Sequence, residues 1–147
     1  MILRTNSENP DFSKLTEKLD IELCRIYNTN PEDYEDFNRI TDLHTVVVAY
    51  ENGEAVACGC FKIFDEKTIE IKRMFVDDNH RGKGIASAML AELETWAREL
   101  GYTKSVLETG KGQPNAIRLY QKQGYHIIEN YNGSDNLEIS VCFAKTL

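Results

Sequence analysis

Arg81-Gly82-Lys83-Gly84-Ile85-Ala86 sets two glycines and an alanine where a β-branched run gives way to an apolar helical stripe. Small residues let a ligand approach the main chain, and the first turn of a helix offers unpaired N–H groups at the positive end of its dipole. With Arg81 and Lys83 beside it, the turn suits an anion such as a phosphate. A dinucleotide fingerprint G-x-G-x-x-G fails here, because the third position is Ser87 and no acid is placed to bind a ribose. A G-x-x-x-x-G-K-[ST] phosphate loop is absent from the chain. Two carboxylates and a phenol could move protons: Glu70, 11 residues before Arg81, Glu108 and Tyr120. A phenol with a pKa of about 10 donates a proton at neutral pH, whereas a glutamate, at about 4.3, serves as a base only if burial raises it or water relays the proton. Cys58-Gly59-Cys60 is neither a C-x-x-C pair nor half of a zinc ribbon, since the next cysteine lies 82 residues on and His44, His80 and His126 are scattered.

These residues need elements to carry them. Phe12, Leu15, Leu19, Leu23, Ile26 and Tyr27 recur at helical spacing behind Pro10, which predicts a first helix over residues 11–28. Pro31 opens a second, acidic helix to Ile40. Strands follow over 45–48, 55–64 and 68–76, the first two joined by an Asn52-Gly53 hairpin turn. Ile85, Met89, Leu93, Trp96 and Leu100, widened by Ala86, Leu90 and Ala97, form the strongest helical stripe, which Gly101 stops. A strand over 105–109, a helix over 114–123 ended by Gly124, and closing strands over 126–131 and 137–143 complete the pattern, the last two flanking Asn132-Gly133-Ser134-Asp135. The expected order is strand, helix pair, three strands, helix, strand, helix, two strands.

A chain of 147 residues is enough for one ordinary core. No run reaches the roughly 18 apolar residues that cross a bilayer, and residues 1–10 lack a basic, apolar leader. A cytoplasmic location is expected, with Cys24, Cys58, Cys60 and Cys142 reduced and serving as small buried hydrophobes. The net charge of -7 argues against nucleic acid and anionic membranes as partners. All of that deficit lies in residues 1–60, where 12 acids face 5 bases; residues 61–147 hold 12 of each. Glu32, Asp33, Glu35 and Asp36 make either a solvated helix face or a lip that draws a cation. Between positions 72 and 83, Lys72, Arg73, Arg81 and Lys83 outnumber Asp77 and Asp78, which fits an anionic ligand.

A strand ending in Val76, followed by Arg81-x-x-Gly84-x-Ala86 at the head of a long helix, resembles the acyl-coenzyme A motif of the GNAT superfamily of N-acetyltransferases. The likeness continues through Leu107-Glu108-Thr109 and Asn115-Ala116-Ile117-Arg118-Leu119-Tyr120 to Gly124-Tyr125, and the element order matches over nearly the whole chain. Ala86 stands where many members have glycine. The resemblance implies a single N-acetyltransferase domain over residues 1–147: a mixed, largely antiparallel twisted α/β sheet of about seven strands with helices on both faces. It further implies acetyl-CoA as the acyl donor and no metal. Its pyrophosphate would rest on Arg81, Gly82, Lys83, Gly84, Ile85 and Ala86, and its pantetheine arm would pair with Met74, Phe75 and Val76, with Asn115 and Tyr120 nearby.

By the same resemblance, Tyr120 would protonate the departing sulfur, Glu70 would take the amine's proton, and Glu108 would be a second base or amine-binding carboxylate. An N–H near Phe75 or Val76 would stabilise the oxyanion. Read from the residues alone, Tyr120 is also a core position beside Ala116 and Leu119, and Glu70 is also a surface partner for Lys72 or for a lysine of a neighbouring strand. The implied activity is direct transfer in a ternary complex. The acceptor would be a cationic amine: a small molecule such as a polyamine or amino sugar, or the lysine or N-terminal amine of a peptide. Relatives that dimerise through terminal strands or sheet edges extend the resemblance to a homodimer. Two other readings are a noncatalytic acyl-CoA-binding sensor or interaction module, and cysteine-based transfer through Cys142, which no histidine is placed to activate.

Overall fold

A computed structural model describes residues 1–28, 43–131 and 140–147. The expected acidic helix with Glu32, Asp33, Glu35 and Asp36, the turn at 132–135 and the start of the expected strand over 137–143 lie outside the described residues. Strand β1 (Ile2–Thr5) is only four residues long, too short for an alternating pattern to mark it. Helix α1 (Pro10–Tyr27) follows, with Asn9 as its N-cap accepting from the Asp11 and Phe12 amides and Pro10 in the first turn, where a missing N–H costs nothing. Strands β2 (Val46–Glu51) and β3 (Glu54–Ile63) join through Asn52 and Gly53, both at positive φ as the Asn-Gly turn requires. Strand β4 (Thr68–Val76) matches its expected limits, and α2 (Ile85–Glu99) follows the glycine turn. Strand β5 (Lys104–Gly110), helix α3 (Pro114–Lys122), β6 (His126–Ile128) and β7 (Ser140–Thr146) complete the order.

The strands form one seven-stranded sheet in the order β1-β2-β3-β4-β5-β7-β6. Pairing is antiparallel for β1–β2, β2–β3, β5–β7 and β6–β7, and parallel for β4–β5. The mixed α/β architecture is the one the element order predicts, and the mostly antiparallel sheet of seven strands is the one the family resemblance implies. Among the described residues no helix is long and apolar enough to cross a membrane.

The chain divides into two compact units, Met1–Phe61 with Arg73–Leu93, and Lys62–Lys72 with Glu94–Leu147. In the first, Phe12, Leu15 and Leu19 of α1 pack with Val46, Val48, Cys58, Cys60 and Phe75. Burying each large side chain of that set contributes about 1.5–3 kcal/mol over leaving it in water. In the second, β7 pairs with β5 over seven residues, and Glu94 is buried with its charge matched, accepting from Lys145 Nζ at 2.9 Å and from the Tyr125 hydroxyl at 3.1 Å. Tyr125 also meets Ser105 Oγ at 2.8 Å, so this buried polar group is bonded on every side it presents.

Several expectations shift. The apolar stripes run past their burial: Ile26 and Leu100 are exposed, because each falls where its helix ends. Three cysteines are buried as expected, but Cys24 is only half-buried. The closing strands move: β6 stops at Ile128, where its ladder with β7 ends at Cys142, and β7 extends to Thr146 because β5 supplies partners as far as Lys104.

Candidate functional site

In the first unit, β4 carries Arg73 at φ 58°, left-handed backbone inside a strand and costly for a non-glycine residue. Its buried guanidinium is held, Nη2 donating to the Thr16 carbonyl at 2.9 Å and to Asp20 Oδ1 at 2.7 Å. The β4–β5 ladder covers only Thr68–Glu70 against Lys104–Val106, and β4 then continues to Val76 without β5 as its ladder partner. Of the three expected contacts on this stretch, Phe75 is buried, and Met74 and Val76 are partly exposed. Met74's sulfur occupies the space that a side chain at Gly59 would need.

After β4, Asp77 N–H donates to the Val56 carbonyl at 2.9 Å and a short 3-10 turn over Asp78–His80 leads to the glycines. Gly82 and Gly84 sit at φ 80° and 82°, conformations that side chains rarely adopt. A Cβ at either would meet no atom within 4 Å beyond its chain neighbours, so the two positions demand glycine through backbone conformation. The turn opens directly into α2, whose first N–H groups have no partner within the helix. Arg81, Gly82, Lys83 and Gly84 are exposed, and Ile85 and Ala86 partly so.

The basic surplus counted along this stretch is offset in space. Arg81 donates from Nε to the Val76 carbonyl at 2.8 Å, pairs with Glu22 at 3.0 Å and Asp78 at 2.9 Å, and lies over the Phe75 ring. Lys83 pairs with Glu51 at 3.4 Å, and Glu51 Oε2 also lies 2.8 Å from His80 Nδ1. Asp77 pairs with Lys18 at 2.9 Å, which holds its carboxyl below the usual range. Arg81 therefore ties the turn to β4 and α1, and the main-chain amides, more than net charge, are what the turn offers an anion.

The bond to His80, and then Lys83, hold Glu51 below its ordinary value of 4.5. Because the folded value lies below the unfolded one, the contact stabilises above the unfolded value and is lost as pH falls through the folded one. Glu51→Gln is expected to melt below the parent chain at about pH 7, with the gap closing as the pH falls through the folded value of Glu51; a gap that does not narrow in acid contradicts this assignment.

In the second unit, Glu70 is 5% exposed, so it is no surface residue. The Tyr131 hydroxyl donates to Glu70 Oε2 at 2.7 Å, and Lys62 Nζ, from the neighbouring strand β3, approaches Oε1 at 3.7 Å, a cross-strand lysine partner of the kind expected. Glu108 is half-buried, accepts from Ser140 Oγ at 2.8 Å and stands opposite Cys142 in the β5–β7 register. Both carboxylates act on the same two groups: burial and the Glu70 and Glu108 charges raise the Tyr131 phenol, and burial with those charges raises the Cys142 thiol. Cys142 is thereby kept a thiol, which disfavours it as a nucleophile.

Tyr120 is buried, edge-on to Tyr125 at 5.9 Å and tilted against Phe143 at 6.2 Å, and burial alone raises its pKa. Its hydroxyl has no hydrogen-bond partner among the described residues, an unusual state for a buried phenol. Asn115 is exposed at the start of α3 and accepts from Arg118 one turn on. Sequence reasoning missed Tyr131, Ser140, Glu51 and Glu22, and anticipated Lys62 only as an unnumbered lysine of a neighbouring strand. None belongs to a motif, and each is brought in by pairing between distant segments.

Residues 12–125 match the model of the acetyltransferase (GNAT) family. The chain is similar to an IAA acetyltransferase of Azospirillum brasilense, at 36% identity over 76% of this chain and 74% of that protein. It spans less than half the length of the mammalian N-acetyltransferases that it also matches. Among solved structures, a Klebsiella pneumoniae protein described as an acyl-CoA N-acyltransferase superposes with a TM-score of 0.82 at 29% identity, covering 100% of this chain and 97% of that one. A GNAT family acetyltransferase from Elizabethkingia anophelis with acetyl-CoA bound gives a TM-score of 0.60 at 25% identity, over 69% of this chain and 75% of its own.

Proposed function

The chain belongs to the GNAT acetyltransferase family, and from that membership we propose that its 147 residues act as one domain that moves an acetyl group from acetyl-CoA to the primary amine of a cationic acceptor, by direct transfer in a ternary complex. The glycine turn carries the reading: Gly82 and Gly84 hold left-handed backbone at the head of α2, and their exposed amides suit a pyrophosphate. The relative with acetyl-CoA bound supports that choice of ligand.

Acetyl-CoA supplies an activated acyl thioester. Arg81, Gly82, Lys83, Gly84, Ile85 and Ala86 hold its phosphates, with Asn115 also assigned to the cofactor. The β4 edge at Met74, Phe75 and Val76 has ladder groups to offer an extended amide chain, since β5 leaves that ladder after Glu70. An N–H of Phe75 or Val76 stabilises the oxyanion. Glu70 takes the proton of the acceptor's ammonium, with Glu108 as a second carboxylate for the amine. Tyr120 gives a proton to the departing sulfur; its buried hydroxyl, without a partner among the described residues and kept protonated by burial, supports this role.

The reading is tested by thiol release from acetyl-CoA in the presence of spermidine, glucosamine and a lysine peptide. Tyr120→Phe is expected to lower kcat by about 30-fold while leaving acetyl-CoA binding intact. A variant at full rate removes Tyr120 from proton transfer. Acetyl-CoA binding without thiol release from the parent chain would instead favour a noncatalytic acyl-CoA-binding protein.

A further inference from the structure

The two oxygens of the Glu70 carboxylate face different groups. Oε2 accepts a 2.7 Å bond from the Tyr131 hydroxyl, and Oε1 has the Lys62 ammonium at 3.7 Å, beyond hydrogen-bond length and with the lysine side chain 47% exposed. One oxygen is therefore held firmly and the other is turned toward a loosely placed cation. The Tyr131 ring is itself fixed, edge-on to Phe64 with centroids 5.1 Å apart. Its phenol stays protonated well above its ordinary value, through burial first and the Glu70 bond and charge next, so it is a donor at every working pH.

A buried carboxylate with free rotation about its last torsion would present its lone pairs in many directions. A short, charge-assisted bond to one oxygen removes that freedom and costs little when the donor is already fixed. We infer that Tyr131 is a positioning residue for Glu70: its hydroxyl anchors Oε2 so that Oε1 is presented to the acceptor's ammonium, at the place that the Lys62 ammonium approaches in the free protein. The inference rests on the proposed role of Glu70 as base. It gives Tyr131 no contact with the reacting atoms and makes a primary ammonium the group that Oε1 is set to receive.

Tyr131→Phe keeps the ring and its packing on Phe64 and removes only the hydroxyl. It is expected to lower kcat about tenfold, the scale of one hydrogen bond to a charged group, with the acetyl-CoA KM and the acetyl-CoA-induced rise in melting temperature unchanged. In a Glu70→Gln background the same substitution is expected to cost less than twofold more, because the carboxylate it positions is gone. A merely structural tyrosine would lower stability and act equally in both backgrounds. Thiol release is read with spermidine, glucosamine and a lysine peptide as acceptors. If Glu70→Gln is slow and Tyr131→Phe runs at full rate, the positioning role is overturned and the base survives. An equal additional loss in the Glu70→Gln background overturns it too. If Glu70→Gln itself runs at full rate, the base assignment fails and takes the inference with it.

Discussion

Gly84→Val is expected to abolish the rise in melting temperature that acetyl-CoA gives the parent chain, and to do so in a protein that still folds. Ligand at 100 times its Kd contributes about 2.7 kcal/mol, which for a domain of this length amounts to roughly 5–11 °C. Gly84 sits at φ 82°, where a β-branched residue is strained by about 1–3 kcal/mol. Beyond its chain neighbours no atom lies within 4 Å of the added Cβ, so at that atom the cost is backbone strain and not a clash. The turn can relieve that strain only by rotating its peptide planes, which turns the neighbouring amides away from a bound phosphate. Affinity is therefore expected to fall at least 100-fold, about 2.7 kcal/mol or more. Thermal scans of both chains with and without acetyl-CoA decide the matter: a full shift in the valine variant would sink the phosphate-holding role of this turn.

Glu70→Gln has the second large effect, a fall in kcat of about 100- to 10,000-fold, the range for removing a positioned general base. The substitution is isosteric and its amide oxygen can still accept from Tyr131, so the contact at Oε2 survives while the proton acceptor at Oε1 does not. Acetyl-CoA binding and its thermal shift are expected to stay as in the parent. Steady-state rates with the three acceptor amines, read beside the thermal shift, separate lost chemistry from lost binding. Full activity would move the base to Glu108 or to a water relay, and Glu108→Gln would then be the variant to measure.

Local patterns were enough to find β4, the glycine turn, α2 and α3, because each announces itself within a few residues: a β-branched run, paired glycines, a 3.6-residue stripe, Pro114 at a helix start. Strand β1 was legible only as a place in the order, since four residues hold too few alternations. The limits of β6 and β7 depended on where β5 supplied partners, which no window along the chain records. The candidate site divides the same way. The turn and Tyr120 lie in motifs, but the partners that give Glu70 its orientation come from position 62 and from position 131. The positive balance around the turn was a sum along the chain, and Asp20, Glu22 and Glu51 cancel much of it from other elements.

The place of β7 has a bearing on the order of synthesis. It is made after β6 yet stands between β5 and β6, so neither of those strands has its antiparallel neighbour until residues 140–146 have been translated. Chains grow from the N-terminus at about 5–20 residues per second, so the edges that β7 will occupy stay unpaired for about 2–7 s on β5 and about 1–4 s on β6. During that interval Glu94 also lacks its Lys145 partner. Nascent chains stalled before position 140 should accordingly be captured by chaperones that hold exposed strands, while the hairpin of β2 and β3, complete within the first 63 residues, has closed long before.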